Sequence, residues 1–268
     1  MDKEQMRSLL EVSVEAVDYI AAMIEDGTDD PAVAELMDNL RRIAAAIEAE
    51  TRGADGLLQK VYLYARNILA SIEELQRDPS LFVRVFSCEI RPFILEMQRL
   101  WHLAAEVLSD EGRRAQHQAA LMQVMRDLHH APRTEYPYDV TIVLCAYNKL
   151  EYTKAAVESI FAHTDFSSGR VELITINNGS DDGTREYFES LPHTKKINLK
   201  YNILGFNAAQ YIAEGKYYVG YSNDVVATPH WLENLLVAME SDGRIAMAVP
   251  TCNEESVSNF QGIPVPYP

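Results

Sequence analysis

Asp224 closes the run KYYVGYSND, a tyrosine- and valine-rich stretch with the composition of a buried β-strand. A carboxylate at the lip of such a strand is costly if it is buried without a partner. Two arrangements would relieve that cost: a divalent cation held by the carboxylate, or a turn that the side chain caps. Two other β-rich runs also end in polar clusters. TIVLC leads into Ala146, Tyr147 and Asn148, and VELITI leads into Asn177, Asn178, Gly179, Ser180, Asp181 and Asp182. Taken singly, Asn178-Gly179 is a common turn dipeptide, and Ser180 to Asp182 suit the N-cap of a helix starting near Gly183. A loop can be turn and binding site at once.

The elements that must position these residues follow from periodicity. From residue 139, β-rich segments (139–147, 170–178, 197–202, 216–223 and 245–250) alternate with helical ones (150–164, 183–191, around 206–215, and 229–240). Such alternation predicts an α/β sheet that is largely parallel, occupying residues 139–268. Ligands of open α/β sheets gather at the carboxyl ends of the strands, so the three polar clusters are expected on one rim.

The segments TIVLCAYNKLEYTKAAVESIFAHT, ELITINNGSDDGT and GFNAAQYIAEGKYYVGYSNDVVATPHWLENL, in that order, resemble the inverting glycosyltransferases of family 2. The resemblance implies the GT-A fold of nucleotide-diphospho-sugar transferases over roughly residues 138–255. It also implies that Ala146, Tyr147 and Asn148 contact the nucleotide, that Asn177 and Asn178 read its base, and that Ser222, Asn223 and Asp224 bind metal and diphosphate. Asp224 would be the metal ligand, and Mg²⁺ or Mn²⁺ the cofactor. The residue types suit these roles: such cations accept one carboxylate when phosphate and water supply the other oxygens, and an amide offers a base edge both a donor and an acceptor. This chain has Ser222 where the family commonly has a carboxylate, two asparagines where it has an acid, and Gln210 where many members have Asn. The resemblance places the catalytic base several tens of residues past the metal motif. Only 44 residues follow Asp224, and Glu254-Glu255 is the one local acidic pair. The reading is therefore of a donor half whose base lies beyond Pro268, or of a binding or scaffold protein with a degenerate transferase half.

Residues 1–130 read as an all-helical bundle, with helices near 2–25, 31–50, 56–77, 79–109 and 111–130 and a kink expected at Pro92. Asp30-Pro31 and Asp78-Pro79 mark helix starts. The stripe Leu95, Leu100, Leu103, Val107, Leu121, Met122 and Met125 is expected in its core, and Trp101 and Trp231, each on an amphipathic helix, are expected to be core residues of their own halves. Residues 131–138 form the linker, which His129-His130 borders. The bundle is expected to pair two chains or to dock an acceptor, glycan or protein. The net charge of −16 is even: residues 1–133 carry 15 basic and 23 acidic side chains and residues 134–268 carry 9 and 17, so each half contributes −8. With no basic block, nucleic acid and anionic membrane are poor partners. No run reads as a signal peptide or membrane span. Three well-separated cysteines suggest neither a disulfide framework nor a zinc site, which fits a cytoplasmic location. Cys145 reads as a small buried hydrophobe, and Tyr217, Tyr218 and Tyr221 as sheet-packing residues.

Overall fold

A computed structural model describes residues 1–28, 30–128, 135–203 and 205–250. Its first half is helical, with α1 (Lys3–Asp26), α2 (Ala32–Thr51), α3 (Gly56–Arg77), α4 (Phe82–Val85), α5 (Arg91–His102) and α6 (Glu111–Leu128). Asp30 and Asp78 act as the sequence suggests. Asp30 accepts from the Ala32 amide at 2.8 Å and Asp78 from the Ser80 amide at 3.1 Å.

The expected kink at Pro92 takes another form. Pro92 cannot donate to the carbonyl four residues back, and its ring crowds that carbonyl. The chain accommodates it with a π-turn over Phe86–Ile90 just before α5, and a second π-turn follows over Leu103–Val107. α6 departs from the expected core stripe. Leu121 and Met122 are about half exposed, because the helix has hydrophilic residues on every side and no continuous apolar face.

The second half contains β1 (Tyr138–Ala146), α7 (Leu150–His163), β2 (Val171–Asn178), α8 (Thr184–Ser190), β3 (Lys195–Leu199), α9 (Phe206–Ala209), β4 (Gly215–Ser222) and α10 (Trp231–Glu240). The strands form one parallel sheet in the order β3-β2-β1-β4. The chain builds outward from β1 to β3 and then crosses to the far side of β1, so the topological switch lies between β1 and β4. The expected strand at 245–250 does not form. Ile245, Met247 and Val249 alternate as in a strand, yet they join no ladder, and Met247 is 77% exposed.

Alternation along β1 divides the core. Val140, Ile142, Leu144 and Ala146 pack with Ala156, Val157 and Ile160 of α7, Phe188 of α8 and Leu232 of α10. Val143 and Cys145, with Ile174, Ile176, Ile197 and Leu199 of the neighbouring strands, join the same apolar cluster as Phe86, Ile90, Phe93 and Met97. The helical region therefore covers one face of the sheet, and one core runs through both halves. Trp101 and Cys145 lie in it, as expected, and burial pushes the Cys145 thiol well above its ordinary value. No described helix is long and apolar enough to cross a membrane.

Candidate functional site

The loops after β1, β2 and β4 are tied together by their own polar groups. After β1, Asn148 and Lys149 both adopt left-handed backbone, at φ 55° and 59°. That conformation is tolerable for Asn and strained for Lys, and it persists only where surrounding bonds over-determine it. Those bonds come from both neighbouring strands. The Asn148 amide donates to Ser180 Oγ at 2.9 Å, Asn148 Oδ1 accepts from the Asp181 amide at 3.0 Å, and the Leu150 amide donates to Asp182 Oδ2 at 2.8 Å. From β4, Asn223 Nδ2 donates to the Asn148 carbonyl at 3.0 Å and to Thr153 Oγ1 at 2.9 Å. Burial works to raise the Asp182 carboxyl, but hydrogen bonds from Thr184 and the Leu150 amide hold it below the ordinary range.

The eight residues singled out in the sequence separate into two groups. Ala146 is fully buried beneath the rim. Asn177 Oδ1 accepts from the Ser180 amide at 3.0 Å, closing the turn after β2. Asn178, 1% exposed, donates to Asn202 Oδ1 at 2.7 Å and accepts from the Ile203 amide at 3.1 Å. With Asn148 and Asn223, these residues build the scaffold. Tyr147, Ser222 and Asp224 are exposed. Cys145 pairs in register with Ser222, so Tyr147 and Asp224, each two residues further on, leave adjacent strands at the switch between β1 and β4.

Asp224 accepts the Ser222 hydroxyl at 2.6 Å, its only partner among the described residues. No group of three or more His, Cys, Asp or Glu among those residues could cage a metal ion. A lone exposed carboxylate beside a hydroxyl still fits a hard cation that keeps water and phosphate oxygens in its shell. Tyr221 is buried, as expected of a packing residue, whereas Tyr218 is partly exposed and donates to the Phe206 carbonyl at 2.7 Å. Glu254, Glu255, His129 and His130 lie outside the described residues.

Four neighbours of the site, Arg185, Lys200, Glu74 and Asn67, are not legible in the sequence. A cavity of about 410 Å³ opens on the β2–β3 side of the rim, lined in part by Asn177, Gly179, Ser180, Arg185 and Lys200. Arg185 is ion-paired with Glu74 of α3, and Lys200 Nζ lies 3.9 Å from the same carboxylate. Arg185 follows the Gly183-Thr184 helix start, a weak local signal. Nothing local marks Glu74 or Asn67, whose contacts to this rim span more than a hundred residues.

A parallel sheet whose polar loops converge at a topological switch defines the class: an α/β protein with its site on the carboxyl rim. Within that class, residues 141–266 match the family model described as glycosyl transferase family 2. A protein of Haemophilus influenzae named "Uncharacterized glycosyltransferase" is 32% identical over 114 residues, covering 40% of this chain and 34% of the relative. The match thus spans about a third of the relative's length.

Proposed function

We propose that the chain binds a nucleotide-diphosphate sugar across the carboxyl ends of β1, β2 and β4 and serves an inverting transfer of the sugar to a glycan or protein acceptor. The observation that carries this reading is the exposure of Tyr147, Ser222 and Asp224 at the β1–β4 switch, on loops locked together by Asn148 and Asn223. Asp224 would hold Mg²⁺ or Mn²⁺, with the Ser222 hydroxyl fixing the carboxylate. Such a cation, when bound, offsets negative charge on the departing diphosphate. Tyr147 offers an aromatic face to the nucleotide, and the tied loops hold the rim in one shape, so little ordering cost remains on binding.

Titration calorimetry with UDP, dTDP and GDP sugars, with Mn²⁺ and then with chelator, tests the reading. Binding that requires Mn²⁺ and weakens at least tenfold in Asp224→Ala supports it. A second reading is favoured by the engagement of both Asn177 and Asn178 within the fold: a binding or scaffold protein that keeps the transferase architecture without donor chemistry. Absence of binding to every nucleotide would favour that one.

A further inference from the structure

Residues 200–203, which leave β3 toward α9, are held from two sides. From the helical region, Asn67 Oδ1 accepts the amides of Lys200 at 2.7 Å and Tyr201 at 3.1 Å, and Asn67 Nδ2 donates to the Tyr201 carbonyl at 3.3 Å. Arg66 lies beside it. Its guanidinium sits 3.8 Å from the centre of the Tyr201 ring and donates to the hydroxyl of that same tyrosine at 2.5 Å. From the rim, Asn178 takes the Ile203 amide and the Asn202 side chain. Gly179, at φ +85°, packs so closely that an added Cβ would meet the Lys200 carbonyl oxygen at 3.0 Å. Connecting loops are ordinarily the least constrained parts of a fold, yet here each of four consecutive residues is fixed.

The arrangement has a consequence at the rim. Asn178 is almost wholly buried, and both hydrogen bonds its side chain makes go to this loop. The position of residues 200–203 therefore sets the place of Asn178 and of the Asn177–Ser180 turn around it, which lines the rim cavity. Asn67 is itself 1% exposed and is anchored on α3 by donating to the Leu63 carbonyl at 2.9 Å. Its placement is thus set by the helical bundle.

We infer that Asn67 is a positioning residue for donor recognition: the helical region, through Asn67, fixes the loop 200–203 that sets Asn178 at the rim. This inference rests on the donor-binding reading above for its ligand and on the hydrogen bonds alone for its mechanics. The bundle is then a working part of the binding site.

The test uses the full chain in three variants. Asn67→Ala removes all three bonds that this side chain makes to the loop. Asn67→Asp keeps the acceptor for the Lys200 and Tyr201 amides. Ser71→Ala removes a different bond between α3 and its surroundings, the one to Glu89, and serves as the control for simple destabilisation. Amide hydrogen exchange is read at Lys200, Tyr201 and Ile203. In Asn67→Ala, protection is expected to fall about tenfold at all three, the scale of one lost hydrogen bond, with Asn67→Asp retaining it at Lys200 and Tyr201 and Ser71→Ala leaving all three unchanged. Protection at Ile203 that stays at the wild-type level in Asn67→Ala overturns the mechanics. Nucleotide binding is read as the ratio of UDP to GDP affinity with Mn²⁺, which uniform destabilisation does not move. A severalfold change in that ratio in Asn67→Ala, absent in Ser71→Ala, is expected; an unchanged ratio overturns the role in recognition. Wild-type chain that binds no nucleotide overturns the donor reading, and the exchange result at Ile203 then decides the coupling by itself.

Discussion

Glu89 supplies a sharp test of how the helical region is joined to the sheet. It sits in the π-turn, fully buried, where Oε1 accepts the Asn198 amide of β3 at 3.0 Å and Oε2 accepts the Ser71 hydroxyl at 2.7 Å. Arg84 Nη1 lies 3.3 Å from Oε1, and Glu74 contributes like charge nearby. Burial dominates, and it pushes the carboxyl from 4.5 up to about 7 against the pull of Ser71, Arg84 and the Asn198 amide. Between those two values the folded chain holds a proton that the unfolded chain releases, so stability falls as pH rises through the interval and levels off above it. At about 1.4 kcal/mol per unit, the loss amounts to about 3 kcal/mol. Glu89→Gln cannot titrate, keeps an oxygen for Asn198, and leaves Arg84 near Glu74 at 3.6 Å and Glu189 at 3.8 Å. Urea unfolding at pH values from about 4.5 to 8 gives both stability curves, and their difference cancels every other titrating group. The wild type should lose about 3 kcal/mol relative to Glu89→Gln across that range. Parallel curves would refute the assignment of a buried, proton-holding carboxyl.

Two further substitutions probe the rim and the sheet beneath it. Asn223→Ala removes two hydrogen bonds, one to the β1 loop and one to Thr153 of α7; a loss of about 2 kcal/mol in thermal or urea unfolding is expected, with faster amide exchange around Asn148 and Lys149. Gly215→Ala places a methyl 2.4 Å from the Thr141 nitrogen and 2.6 Å from the Val140 carbonyl carbon. Since only backbone movement between β1 and β4 could admit it, a loss of about 3 kcal/mol or more is expected in the same assay.

The sheet was legible in the sequence because its segments are short, β-rich and separated by helical runs of the right length. The register then places the ends of β1, β2 and β4 where the polar clusters had suggested. The extra strand at 245–250 was misread for a physical reason. Ile245, Met247 and Val249 have the alternation of a strand, but alternation states only which face a strand would present, and a ladder also needs a partner edge. At Pro92 the sequence reports a missing donor without saying how the helix absorbs it, and here a π-turn does so. Leu121 and Met122 were assigned to the core by residue type although α6 lacks the repeating apolar face that would turn them inward. In the candidate site, residue type pointed to the three rim loops and could not apportion roles within them. Asn, Ser and Asp serve equally as scaffold and as ligand contact, and only the hydrogen-bond partners separate Asn148, Asn177 and Asn223 from Tyr147, Ser222 and Asp224.

The helical region bears on function through the part of the sheet it occupies. β3 is an edge strand, and a bare edge invites pairing with other chains. Glu89 takes the Asn198 amide at the middle of that edge, and Asn67 takes the next amides beyond its end, at Lys200 and Tyr201. The face formed by Val143, Ile174, Ile176 and Ile197 is covered by the same helices through Phe86, Ile90, Phe93 and Met97. Without them the sheet would expose both an unpaired edge and a contiguous apolar surface, each an aggregation hazard. The same contacts that protect β3 also fix the loop behind Asn178, so sequence change along the inner faces of α3 and the π-turn acts on the stability of the sheet and on the shape of its rim together.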